Sequence, residues 1–295
     1  MNKWLFSILV VLTTALMGSS FAIGKIGLSY STPLLLVGLR FFLAGVIMAT
    51  AVLLLRIPHP KRFSQWIKIA VIGFFQTAGV MSCIFVSLRT ITAGQSSILT
   101  FMNPLLVVIF GTIFMKLSYS PRQWLGVILG FIGVFITLGG QLSFQIGTLL
   151  AFLSAVSWAI GTLIIKKWGG EFNTWLLTAY QMLFGGIILL ISSFILENPS
   201  FEINASSVAI LLWLAIMASI VQFAVWFYLL HKGDPGKTSA FLFLAPFFGV
   251  LSGWLLLDEM INWHVTIGGI CIFTGIFLVN WTHKKVTTYQ LEKAP

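Results

Sequence analysis

Charge is scarce in this chain. Only 8% of its 295 residues are Asp, Glu, Lys or Arg, against about 25% in an ordinary soluble domain. Acids are scarcer still, seven against seventeen Lys and Arg. At 58% hydrophobic and a mean hydropathy of +1.02, the chain has too few polar residues to cover a water-facing surface. Soluble classes are set aside. The two cysteines, Cys83 and Cys271, lie inside apolar runs and imply neither a disulfide framework nor a metal site. No Asp or Glu stands mid-run, and all four histidines stand at run ends or in connecting stretches. A carboxylate or histidine proton relay across a membrane therefore has no carrier. No Walker-type loop is present, so ATP hydrolysis is not expected and no cofactor is implied. A net charge of +10 would suggest nucleic acid in a soluble chain. In a membrane chain it marks cytoplasmic loops instead, so no nucleic-acid partner is expected.

What is abundant is apolar sequence in lengths of about 20 residues, enough to cross the hydrocarbon core. The few charges divide it. Lys3 and Lys25 bracket span one, and Pro33 and Arg56 bracket span two, with Arg40 inside. Span three lies between Lys68 and Arg89, span four between Arg89 and Lys116. From Arg122 to Lys166 there is no charge, and Gly139-Gly140-Gln-Leu-Ser splits that run into spans five and six. Glu171 to Glu197 is span seven, Ser207 to Leu230 span eight, Lys237 to Asp258 span nine, and Trp263 to Thr282 span ten. The opening Met1-Asn-Lys-Trp-Leu-Phe looks like a signal peptide, but its apolar run continues to Gly24, too long for an h-region. It reads as an uncleaved first span. With the N-terminus inside, fourteen of the seventeen Lys and Arg fall in inner segments. Both termini are expected in the cytoplasm, in a multi-pass protein of the cell membrane.

The chain also repeats itself. Gly94 to Gly111, with Pro104 at its centre, is echoed by Gly236 to Gly253 with Pro246 at its centre. The offset between the copies is constant: Gly126 and Gly268 keep it, as do Gly133 and Gly275. Ser20-Phe-Ala-Ile-Gly24 is echoed by Ser157-Trp-Ala-Ile-Gly161. Each unit holds five spans, residues 1–140 and 141–295, the second with a short cytoplasmic tail. Five is odd, so the second copy enters from the opposite face. The expected fold is an all-α integral membrane protein of ten transmembrane helices in two inverted repeats, an arrangement common in alternating-access transporters.

These residues resemble the EamA family of the drug/metabolite transporter superfamily. They include Ser20-Phe-Ala-Ile-Gly24, Arg40-Phe-Phe-Leu-Ala-Gly45 and Asn103-Pro104. In the second half they include Ser157-Trp158-Ala159, Ala245-Pro246, Trp254-Leu-Leu-Leu-Asp-Glu259 and Gly268-Gly269 with Gly275. The resemblance covers essentially the whole chain. It implies a ten-span exporter of amino acids, other metabolites or drugs, with a central cavity lined by spans one, three, four, six, eight and nine. A nucleotide-sugar or phosphate carrier of the same superfamily is the alternative. The start of span four departs from the family's Ala/Ser-rich pattern, because Gln95 adds an amide.

Candidate site residues follow from depth. Pro104 and Pro246 sit mid-span, where a helical proline frees carbonyls. Thr100 and Asn103 share a face by helical spacing, as do Gln222 and Trp226. Gln76 and Trp158 lie at similar depth. Amides in hydrocarbon must face protein or a wet cavity; bonding between helices explains each singly as well as substrate contact does. Arg40 is the only cation well inside a span. It could attract a carboxylate or phosphate, close an outer gate against Glu259, or snorkel outward as a structural residue; a structural or gating role is favoured. An intramembrane enzyme is disfavoured because neither cysteine has a histidine at its depth. The inverted repeat disfavours a channel. The glycines of spans five and nine let helices approach closely, and a homodimer through span five or ten stays open.

Overall fold

The computed structural model describes residues 3–137, 145–232 and 241–280. The Gly139-Gly140 split, residues 236–240 of the second proline stretch, Lys237 and the C-terminal tail lie outside them. Seven helices are long and apolar enough to cross a membrane. They are α1 (Lys3–Gly27), α2 (Pro33–Leu54), α3 (Phe63–Ser87), α4 (Ala93–Met115), α6 (Ile146–Trp168), α7 (Thr174–Leu196) and α8 (Ala205–Trp226). Three shorter apolar helices are α5 (Pro121–Thr137), α9 (Leu244–Leu257) and α10 (Trp263–Asn280). Among the described residues the only β pairing is an isolated bridge between Ser31 and Phe201.

Polar residues start several of the helices. Pro33 opens α2, where its missing N–H costs nothing. Asn173 caps α7, and Asn204 with Ser207 forms a capping box on α8. The Gln95 amide is part of the same kind of device. Its Oε1 accepts from Thr92 N while Thr92 Oγ1 accepts from Gln95 N, so it closes the first turn of α4.

The expected kinks take a different form. Helix α4 stops at Thr100 and restarts at Asn103, with Phe101 and Met102 in a turn between. Pro104 therefore stands in the first turn of a new half-helix, where proline is tolerated, and not in a helix interior. Pro246 likewise sits in the first turn of α9, behind the 3₁₀ turn Phe241–Phe243. Interior breaks appear where no proline marks them. A π turn interrupts α3 at Phe74–Gly79 and another interrupts α8 at Ile216–Val221. The two are spaced as Pro104 and Pro246 are. So are two left-handed residues, Lys116 and Asp258. Each is followed by an N–H that donates six residues back, Leu117 to the Gly111 carbonyl and Glu259 to that of Gly253. Helices α4 and α9 therefore end in the same way, on a left-handed residue that turns the chain back over the last carbonyls.

Glycine sets the closest helix pairs. In α2 against α7, Gly38 meets Leu190 and Gly45 meets Leu183, while Gly186 meets Phe42. In α5 against α10, Gly126 meets Gly275 and Gly133 meets Gly268. Residue numbers rise on one helix as they fall on the other, so both pairs are antiparallel. The glycines of α5 are thus used inside the chain. So is Gly249 of α9, which lies against Ser97 and Gly18. The outward faces carry Leu53, Ile113, Phe114, Ile191, Phe194 and Ile195, all exposed. Large apolar side chains on the outside and amides within is the reverse of a soluble fold and suits a lipid surround.

Candidate functional site

The bundle has two unlike ends. One carries Lys25, Arg89, Glu197, Glu202, Asp258 and Glu259, and is stitched together. Thr32 N donates to the Ser200 carbonyl and Glu202 N to that of Tyr30. The Glu197 carboxylate accepts from Leu34 N at 3.1 Å and from Ser193 Oγ, tying the end of α7 to the start of α2. The Glu259 carboxylate accepts from Ala93 N at 2.7 Å and Gly94 N at 3.2 Å, where the α4 dipole favours negative charge. Lys25 Nζ reaches Glu259 Oε1 at 3.0 Å and the Ile91 carbonyl at 2.9 Å. Gly253 makes room for this carboxylate, since a Cβ there would collide with Glu259 Oε2. We call this the acidic end.

The other, basic end holds Lys61, Arg62, Lys68, Lys116, Arg122, Lys166 and Lys167. Here a cavity of about 900 Å³ opens among Tyr119, Gly169, Gly170 and Thr174. It runs inward past Asn103, Gln181, Trp226 and Gln222 to Gln76 and Trp158. Beyond these it narrows into a chamber of about 60 Å³ that ends at Arg40 and Phe41. Aromatic rings close the top. Phe101 lies 5.9 Å from Phe21 and 5.5 Å from Trp158, centre to centre. The void is thus open at the basic end and blind toward Lys25 and Glu259. Burial pushes the Tyr119 phenol at the mouth above the ordinary tyrosine range, so it stays neutral at physiological pH.

The sequence candidates separate on this geometry. Gln76, Asn103, Pro104, Trp158, Gln222 and Trp226 all line the void. Thr100 does not. It is fully buried and shares a 2.7 Å hydrogen bond with Ser154 Oγ. Helical spacing puts Thr100 and Asn103 on one face only in a continuous helix, and α4 is broken between them. Pro246 is also packed within the protein, away from the void. Arg40 does not face Glu259, whose partner is Lys25. Its guanidinium donates to Ser219 Oγ at 2.9 Å and to the Ala218 carbonyl at 2.8 Å, and lies 4.7 Å from the Phe41 ring centre. Both partners are in the α8 π turn, whose altered hydrogen bonding suits a side-chain donor.

One lining residue carried no functional reading in the sequence: Gln181 of α7. It is 5% exposed, and its Oε1 has no hydrogen-bond partner. Gln76 Oε1 is equally unpartnered. A signal existed, because Gln181 stands to Arg40 in the repeat as Gly186 stands to Gly45. No cluster of His, Cys, Asp and Glu able to hold a metal exists among the described residues.

A model of the EamA-like transporter family matches this chain twice, over residues 4–139 and 145–281. The uncharacterized transporter YvbV of Bacillus subtilis is 30% identical, over 94% of this chain and 92% of its own length. An Escherichia coli protein named probable amino-acid metabolite efflux pump is 25% identical, over 92% of this chain and 93% of its own. A solved crystal structure shares the fold with a TM-score of 0.68 at 19% identity, covering 92% of this chain and 96% of that one.

Proposed function

Because the chain belongs to the EamA-like transporter family, we propose that it is a secondary carrier that exports an amino acid or a close relative by alternating access. It is a multi-pass membrane transporter, not an enzyme. The observation that carries the finer reading is the one-sided cavity. It is open among the basic loops and blind beneath the aromatic layer and the Lys25–Glu259 pair. A carrier caught facing one side has this form. The basic loops support a reading in which the open side faces the cytoplasm, with both termini there, in the cell membrane. Transport then requires the acidic end to open, which parts Lys25 from Glu259, and the basic end to close.

Ten crossings in two inverted units, 1–140 and 141–295, remain the architecture we propose. The two successive family matches support it. So does the recurrence of the π turns and of the helix ends at the offset of the two prolines. Parity adds a further reason. If the seven long helices alone crossed, three crossings would separate α2 from α7 and the two would run the same way. Antiparallel packing of α2 on α7 favours a crossing by α5 as well. The antiparallel α5–α10 pair favours one by α9 on the same count.

The void also bears on substrate class. Among the described residues its lining has one cation, Arg40, and no Lys, Asp or Glu. Phosphate and diphosphate groups are held by several cations or a bidentate cluster, so a nucleotide-sugar or phosphate carrier fits less well. Amides beside Trp158, Trp226 and Phe223 suit a small molecule with polar groups and an apolar body. The test is reconstitution into liposomes with a metabolite panel read by mass spectrometry. Saturable flux with counterflow is expected. Flux that rises linearly with concentration would sink the carrier reading.

A further inference from the structure

Arg40 is the feature that the transporter reading leaves unused. It lies about 10 Å below the acidic end of α2, at seven residues and 1.5 Å each. Its side chain does not run outward to water. It runs to Ala218 and Ser219, thirteen or fourteen residues into α8 from that same end, about 20 Å deep. The residue is 3% exposed, and no carboxylate pairs with it among the described residues. Two of its nitrogens, Nε and Nη2, are bonded to α8; Nη1 has no partner among the described residues, and Arg40 lines the blind chamber.

A buried cation without a counter-charge is costly, and ionisable groups at this depth mark substrate paths. The chamber is large enough for a group of three or four heavy atoms, not for a whole metabolite. It adjoins the wide void, and Met17, Gln76, Trp158, Gln222 and Phe223 line both. Gln76 and Gln181 line the wide void, and the Oε1 atom of each is buried in its wall without a hydrogen-bond partner. Amide oxygens accept and guanidinium nitrogens donate. The order from blind end to mouth is thus anion site, acceptor site, aromatic wall.

We propose that Arg40 is the anchor for a substrate carboxylate, and that the substrate is a zwitterionic monocarboxylate entering carboxylate first. The carboxylate docks on Nη1 in the chamber. The ammonium group lies against Gln76 and Gln181, whose amides turn their buried oxygens toward it. The apolar side chain stays in the wide void against Trp158 and Phe223. This rests on the transporter reading and narrows it: a substrate lacking a carboxylate leaves Arg40 unpaired and is rejected.

The experiment uses full-length protein in liposomes and three matched pairs of probes, L-alanine, L-leucine and L-phenylalanine, each with its carboxamide. The amide keeps the body and the amine and loses the anion. At least one acid is expected to move tenfold or more faster than its amide. Arg40→Gln should bring that ratio to within twofold, with Arg40→Lys retaining part of it. Ser219→Ala, which keeps the charge and removes one tether, should raise KM for the acid with less change in kcat. An amide carried as fast as its acid by the unaltered protein overturns the proposal, whether or not the Arg40 variants fold. So does an unchanged ratio in Arg40→Gln. If no acid moves but an organic cation such as tetraphenylphosphonium does, the anchor is overturned and the carrier stands. If nothing on the wider metabolite panel moves, both fall.

Discussion

Gly126 and Gly275 face each other across the α5–α10 contact with no room for a methyl group on either. A Cβ on Gly126 would lie 2.7 Å from the Gly275 carbonyl oxygen, and one on Gly275 would lie 2.5 Å from that of Gly126. Both obstacles are backbone, which cannot rotate aside. Alanine favours a helix over glycine by up to about 1 kcal/mol, so the sign of a substitution depends on this space. Gly126→Ala and Gly275→Ala should each destabilise by about 1–3 kcal/mol. Gly269→Ala, whose nearest neighbour would be 3.6 Å away, should be neutral or slightly stabilising. Melting curves in detergent from intrinsic tryptophan fluorescence check the order. A melting temperature for Gly126→Ala equal to that of Gly269→Ala would refute the packing.

The Lys25–Glu259 pair should hold the acidic end shut. Glu259→Gln keeps the shape of the side chain and loses the charge that meets Lys25 and the first N–H groups of α4. Ser20 lines the blind chamber, so a Ser20→Cys reporter senses opening. Labelling of that cysteine by a membrane-impermeant maleimide from the acidic side should rise at least threefold in Glu259→Gln, with the unaltered protein giving the background of Cys83 and Cys271. Gly253→Ala should act in the same direction by displacing the carboxylate. No change in either would leave the pair a surface ornament.

Thr100 and Asn103 should behave oppositely despite their spacing. Thr100→Val removes a buried hydrogen bond to Ser154 and should cost about 1 kcal/mol of stability while leaving KM alone. Asn103→Leu removes a polar group from the cavity wall; it should leave the melting temperature nearly unchanged and raise KM severalfold. Flux in liposomes beside a melting curve distinguishes them.

Gln181→Leu tests whether its amide is kept for stability. Its Oε1 is buried and unpartnered, and such an atom costs about 1–3 kcal/mol. The leucine variant should melt at or above the temperature of the parent protein and transport at least fivefold less well. Loss of both stability and transport would make the residue structural.

Much of this arrangement is legible in the residues, and the part that is not has a physical cause. Charges mark helix ends because hydrocarbon excludes them, so the boundaries at Lys25, Arg56, Arg89 and Lys116 need no structure. Glycines that recur in both halves are legible because close approach tolerates nothing larger, and Gly126 with Gly275 is the case in point. The π turns are not legible. They insert a residue into α3 and α8 without a proline or a glycine run to announce it, and they re-aim Gln76 and Ser219. The break after Thr100 is half legible: Pro104 announces it but not its place. Pairing across the bundle is the least legible. Lys25 and Glu259 are far apart in the chain, and choosing Lys25 over Arg40 as the partner of Glu259 depends on how α1, α4 and α9 pack.

The unpaired guanidinium of Arg40 has an electrical consequence. A fixed positive charge in the membrane interior feels the transmembrane voltage, about 2.3 kcal/mol per charge for each 100 mV fully traversed. When the walls open on one side and then the other, the field across Arg40 changes even though the side chain scarcely moves. A zwitterion brings no net charge, so the protein carries that charge through its cycle empty and loaded alike. The resting potential of the cell then acts on the passage of the loaded carrier and on the return of the empty one in equal measure and opposite direction.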